Sequence, residues 1–145
     1  MKLPEYVTRE EVQRVCQELE FRDWTKLSST AVTIEETRML QNEVGEEALQ
    51  ISVEAFKNGL EVELEHGLEY NSSNITNNHP ILTAKIVLAH LKEMLDYYER
   101  LDVAEGEGDL LKAIVAGDVT KIRKEYAKLL NARRHLVEIE HKQLA

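Results

Sequence analysis

Apolar side chains recur three and four residues apart along almost the whole chain. No stretch alternates apolar and polar residues for long enough to read as a strand. That spacing follows the turn of an α-helix, so each segment must bury one stripe and leave the rest to water. The fold class it dictates is all-α: one single-domain helical bundle of about five helices over residues 1–145. The main bundle is expected from 46–66, 80–101 and 119–143.

The helix boundaries have local signals. Thr8-Arg-Glu-Glu11 and Thr33-Ile-Glu-Glu36 are capping boxes, in which a hydroxyl and a carboxylate satisfy free amides at a helix start. After the first, Val12, Val15, Cys16 and Leu19 keep helical phase, and Phe21 and Trp24 anchor the following turn. Met39 and Leu40 are out of phase with the residues beyond Gly45. A break is therefore expected near 42–45, with one long bent helix over 33–66 as the alternative. Gly67 is placed as a left-handed cap, and Pro80 suits a first helical turn with His79 in the loop before it. The acidic stretch 102–109, with Gly106 and Gly108, reads as a loop that misses the calcium-loop spacing. A short helix from Asp109 is expected to end at Gly117. Asp118 then caps the last helix, whose buried side is marked by Val119, Ile122, Tyr126, Leu129, Leu130, Leu136, Val137 and Leu144.

Polar groups fall where a core is expected. At about 100° per residue, Gly45, Ser52, Gly59 and His66 form one stripe along the apolar arc of 45–67, with Glu63 beside it, whereas Glu61 belongs to the wet side. His90 lies within the apolar arc of 80–101, with Glu93 at its shoulder and Tyr97 one turn on. An inward carboxylate must be paired, hydrogen-bonded, metal-bound or protonated. Two readings follow. In the first, Glu63, His66, His90 and Glu93 from two facing helices hold a divalent metal ion, zinc, iron or manganese. Tyr97, Glu138 and His141 support that site, and the repeated Glu-x-x-His resembles in part the di-iron arrangement of ferritin-like bundles. In the second, the chain is a helical interaction or scaffold module whose Glu/His/Tyr network only sets packing. Arg133, inside the apolar arc of the last helix, is expected to pair with a core carboxylate.

The segments Glu63-Leu-Glu-His-Gly67 and Ala89-His-Leu-Lys-Glu-Met-Leu-Asp-Tyr-Tyr98 resemble the signature of a small microbial family of unknown function. The resemblance points to Glu63, Glu65, His66, Lys85, His90, Glu93, Asp96, Tyr97 and Tyr98 and supplies no mechanism. Leu95 stands where that family tends to have proline, which implies a straighter helix here. Asn78 and His79 replace acidic loop residues.

Charge and motifs exclude several classes. A net charge of −9 argues against nucleic acid, which wants a basic face; the Lys and Arg residues of 121–134 read as solvated helix positions. No apolar run reaches a membrane span, and no apolar leader follows the first residues, so a cytoplasmic protein is expected. A lone cysteine, Cys16, leaves no internal disulfide and reads as a small buried hydrophobe. No phosphate loop, dinucleotide fingerprint or nucleophile elbow is present, so enzymatic activity stays open, with Glu63 or Glu93 as the acid–base candidates. A homo-oligomer is compatible with either reading.

Overall fold

Side chains of Thr8, Thr33, Ser52, His79 and Asp118 each take up a free amide where a helix begins, and these caps punctuate the chain. The computed structural model describes residues 6–145. Residues 1–5, which bear on the expectation of no apolar leader, lie outside them. Seven α-helices and two short 3-10 turns account for the secondary structure of the described residues, against the five or so helices expected. They are α1 (Arg9–Glu18), α2 (Ile34–Val44), α3 (Glu46–Leu49), α4 (Val53–Glu69), α5 (Pro80–Glu93), α6 (Tyr97–Val115) and α7 (Val119–Leu144). The helices gather into two compact units, one ending at Lys92 and one beginning at Glu93.

In the first unit, Thr33 and Glu36 form the reciprocal capping box of α2. Thr8 caps α1 by accepting from Glu11 N at 3.2 Å, but the Glu11 carboxylate binds Arg14, so this box is only half formed. Gly45, at φ +110°, ends α2 in a conformation that glycine alone adopts cheaply. Beyond it the expected helix from 46 is interrupted. After the single turn of α3, Ser52 starts α4 by accepting from Ala55 N at 3.2 Å. The buried Gln41 amide stitches this break, donating to Ala48 O at 2.8 Å and Ile51 O at 3.0 Å. The stretch 33–66 is thus three helical pieces. The four-residue stripe dissolves, because Gly45 and Ser52 are caps and not helical positions. Glu61 is not fully solvated either: it accepts from Val32 N at 3.0 Å and ties the preceding connector to α4.

The core of this unit consists of Val12, Trp24, Leu40, Phe56, Leu60, Leu64, Ala84, Val87 and Leu91, all at most 2% exposed. Cys16 is buried with them and its Sγ accepts from Trp24 N, as its apolar setting implied. Asp23 holds the Trp24 turn by accepting from Thr25 N, Thr25 Oγ1 and Gln13 Nε2; these bonds, the Thr25 hydroxyl first, pull its carboxyl down to about 2.

The second unit is an antiparallel hairpin of α6 and α7 around Gly117 (φ +67°), with Asp118 capping α7 by accepting from Lys121 N at 2.9 Å. Two expectations fail here. Helix α5 stops at Glu93 although no proline follows, and Asp96 stands just before the first turn of α6. Its buried carboxylate grips Arg100 through two bonds of 3.0 and 2.8 Å, which hold it below the ordinary carboxylate range. Residues 102–109 are helical despite both glycines, and Gly106 faces α7, where a Cβ would meet the Leu129 side chain at an ordinary contact distance of 3.4 Å. Packing of that seam outweighs a glycine cost of about 1 kcal/mol per residue. Arg133 pairs with Glu107 at 2.7 Å on the surface and not with a core carboxylate.

Candidate functional site

The Glu-Leu-Glu-His-Gly segment falls in the last turns of α4, and the helix runs through Gly67 to Glu69. Gly67 is therefore no cap. It is a docking point for the Asn-rich loop. Asn74 Nδ2 donates to Gly67 O at 3.1 Å and to Asn78 Oδ1 at 2.8 Å, while Asn77 Nδ2 reaches Val7 O at 2.6 Å. Asn77 and Asn78 both take positive φ, +49° and +59°, which asparagine tolerates better than most residues. A Cβ at Gly67 would lie 2.1 Å from Asn78 Oδ1 and 2.9 Å from Asn74 Nδ2. Gly67→Ala should accordingly destabilise the first unit by about 1–3 kcal/mol in urea unfolding, despite alanine's better helix propensity. An unchanged or raised midpoint would show that the loop yields freely.

After the loop, His79 is 7% exposed and closes the start of α5 by accepting from Leu82 N through Nδ1 at 3.4 Å, with Pro80 as the first helical residue. Burial pushes its imidazole below the ordinary value, which favours the neutral form that this bond requires. It is a cap.

Between α4, α5 and this loop lies a cleft of about 440 Å³, lined by Glu63, His66, Tyr70, Asn74, Asn78 and Thr83 among others. Glu63 Oε1 stands 3.1 Å from His90 Nδ1, the imidazole donating to the carboxylate, so two of the four expected residues do meet. Their side chains are 17% and 30% exposed, half-buried and not enclosed in a core, and of the two Glu63 lines the cleft. His66 is exposed at the cleft wall, its ring 6.5 Å from that of Tyr70. Glu93, the last residue of α5, is exposed and falls in the second unit. So do Tyr97, Glu138 and His141, of which Glu138 and His141 are exposed on α7 and Tyr97 sits edge-on to Tyr98, ring centroids 5.2 Å apart. Among the described residues no three His, Cys, Asp or Glu side chains form a group that could hold a metal ion. No described helix is long and apolar enough to cross a membrane.

The Asn side chains that build one wall of the cleft went unassigned in the sequence. The available signal was the run of asparagines itself, the residue type that most readily bonds local backbone and takes positive φ. The model of a family described as "Protein of unknown function (DUF5661)" matches residues 12–107. The chain belongs to this family. The match covers the cleft, both helices that carry Glu63 and His90, and the first half of α6. Neither the curated proteins nor the solved structures contain a match.

Proposed function

We propose that this is a cytoplasmic binding protein whose α4–α5 cleft takes a small organic cation, an amine or ammonium compound. One observation carries the reading: the cleft presents the Glu63 carboxylate, aromatic Tyr70 and several amide and hydroxyl groups, and among the described residues no Lys or Arg lines it. A volume of about 440 Å³ falls within the range of small-molecule sites. An ammonium group there gains a charge-assisted bond to Glu63 and the face of Tyr70, whereas a phosphate or carboxylate meets like charge. His90 holds the Glu63 carboxylate in place from behind.

A divalent metal ion, zinc, iron or manganese, is the second reading, favoured by Glu63 and His66 lining one cleft with His90 bonded to Glu63. It requires His90 to exchange that bond for the ion, and solvent to complete the shell. The scaffold reading, with the pair serving packing alone, is the third outcome of a single experiment. Calorimetric titration of tag-free protein with propylammonium, choline, acetate, zinc chloride and manganese chloride separates all three. The expected result is binding of the ammonium probes, not acetate, weakened about tenfold or more by Glu63→Gln. Binding of metal alone, lost in His66→Ala, would replace the proposal with the second reading. No binding by any probe would leave the packing role.

A further inference from the structure

The hairpin of the second unit buries too little of its own apolar surface. The expected buried side of α7 divides in two. Leu129 is 2% exposed at the seam with α6, with Ile122 and Leu136 half-buried in the same phase. Tyr126, Leu130 and Val137 are 51%, 47% and 49% exposed. At 100° per residue these three lie on one line about a quarter-turn from the seam. On α6, Val103, Leu110 and Ile114 share a line on the same side of the hairpin, and Ile114 is 52% exposed. The Glu107–Arg133 pair, spanning the two helices at 2.7 Å, fixes the level at which the two lines stand abreast. One broad face of the hairpin therefore presents apolar side chains on both sides of the Glu107–Arg133 pair, continued at the turn by Val119. An isolated helix pair presenting such a face is half of a four-helix bundle.

We infer that this face binds the same face of a second copy of the chain. Charge selects that occupant. Helix α6 has five acidic residues against two basic, and α7 seven basic against three acidic, so the hairpin has one negative and one positive rail. A two-fold axis parallel to the helices sets α6 of each copy over α7 of the other, opposite charge on opposite charge and antiparallel throughout. The alternative axis sets like on like. The second unit is also nearly neutral, with eleven acidic and nine basic residues, while the first has sixteen acidic and nine basic. Self-association by the first unit would oppose two strongly negative surfaces. Self-association by the hairpin avoids that repulsion.

Sedimentation velocity of the full chain over a wide concentration range is the test. The expected result is a reversible monomer–dimer equilibrium that weakens with added salt. Leu130→Glu and Val137→Glu should each raise the dimer dissociation constant at least tenfold and leave far-ultraviolet circular dichroism unchanged, since both side chains are exposed in the single chain. A dimer indifferent to both substitutions would overturn the proposal by placing the contact elsewhere. A monomer at every concentration would overturn it too. In that case hydrogen exchange on α7 would tell whether residues of the same chain cover the face.

Discussion

Trp24→Ala unfolds the first unit by about 3–5 kcal/mol in urea titration followed by circular dichroism at 222 nm. That is the usual cost of deleting a buried indole. Trp24 is completely buried, stacked on Phe21 with ring centroids 6.0 Å apart, and lies on the 3-10 turn that Asp23 holds in place. The residues around it belong to α1, to that turn and to α2, so the void has no single flexible neighbour to fill it. Domains of this size are stable by only about 5–15 kcal/mol, so the variant should populate unfolded chains at modest temperature. Trp24→Phe keeps most of the volume and should cost less than half as much. A loss below about 1 kcal/mol for Trp24→Ala would mean that the site collapses and that the core lies elsewhere.

Glu36→Ala comes second, at about 2–4 kcal/mol. The side chain is 6% exposed and accepts from Arg22 Nε at 3.0 Å, Arg22 Nη2 at 3.1 Å, Trp24 Nε1 at 3.2 Å and Thr33 N at 2.9 Å. These partners do not suffer equally when the carboxylate goes. The Arg22 side chain is 42% exposed and Thr33 is at the surface, so water replaces much of what they lose. The Trp24 indole N–H is sealed in, and an orphaned buried donor costs about 1–3 kcal/mol; loss of the capping box adds about 1 kcal/mol. Glu36→Gln retains an acceptor and should lose less than half of this. A double-mutant cycle with Trp24→Phe should return a coupling of about 0.5–3 kcal/mol; additivity would show that the bond contributes nothing.

Glu36 also illustrates how much of the fold was legible in the sequence. Its place in a Thr-x-x-Glu box was readable, because the partners lie within four residues. Its contacts with Arg22 and Trp24 were not, because they depend on how the 21–33 connector returns to α2. Glu63 and His90 show the reverse case. Their shared phase on two adjacent helices suggested a meeting, and they meet. Periodicity treated His66 and Glu93 alike, yet both are exposed, since helical phase ranks the faces of a helix but cannot say where the partner surface ends.

The sequence by itself determined the all-helical class and most chain reversals. Thr33, Pro80, Gly117 and Asp118 act on amides and torsions within a turn of themselves, and short-range chemistry of that kind reads the same in any fold. Only the tertiary structure decided the continuity of the helices. It carried α6 through 102–109, where Gly106 packs on Leu129 of α7 across the hairpin. It also turned Gly67 from a stop into a seat for two asparagines. A glycine's propensity is worth about 1 kcal/mol, and contacts from distant residues exceed that easily.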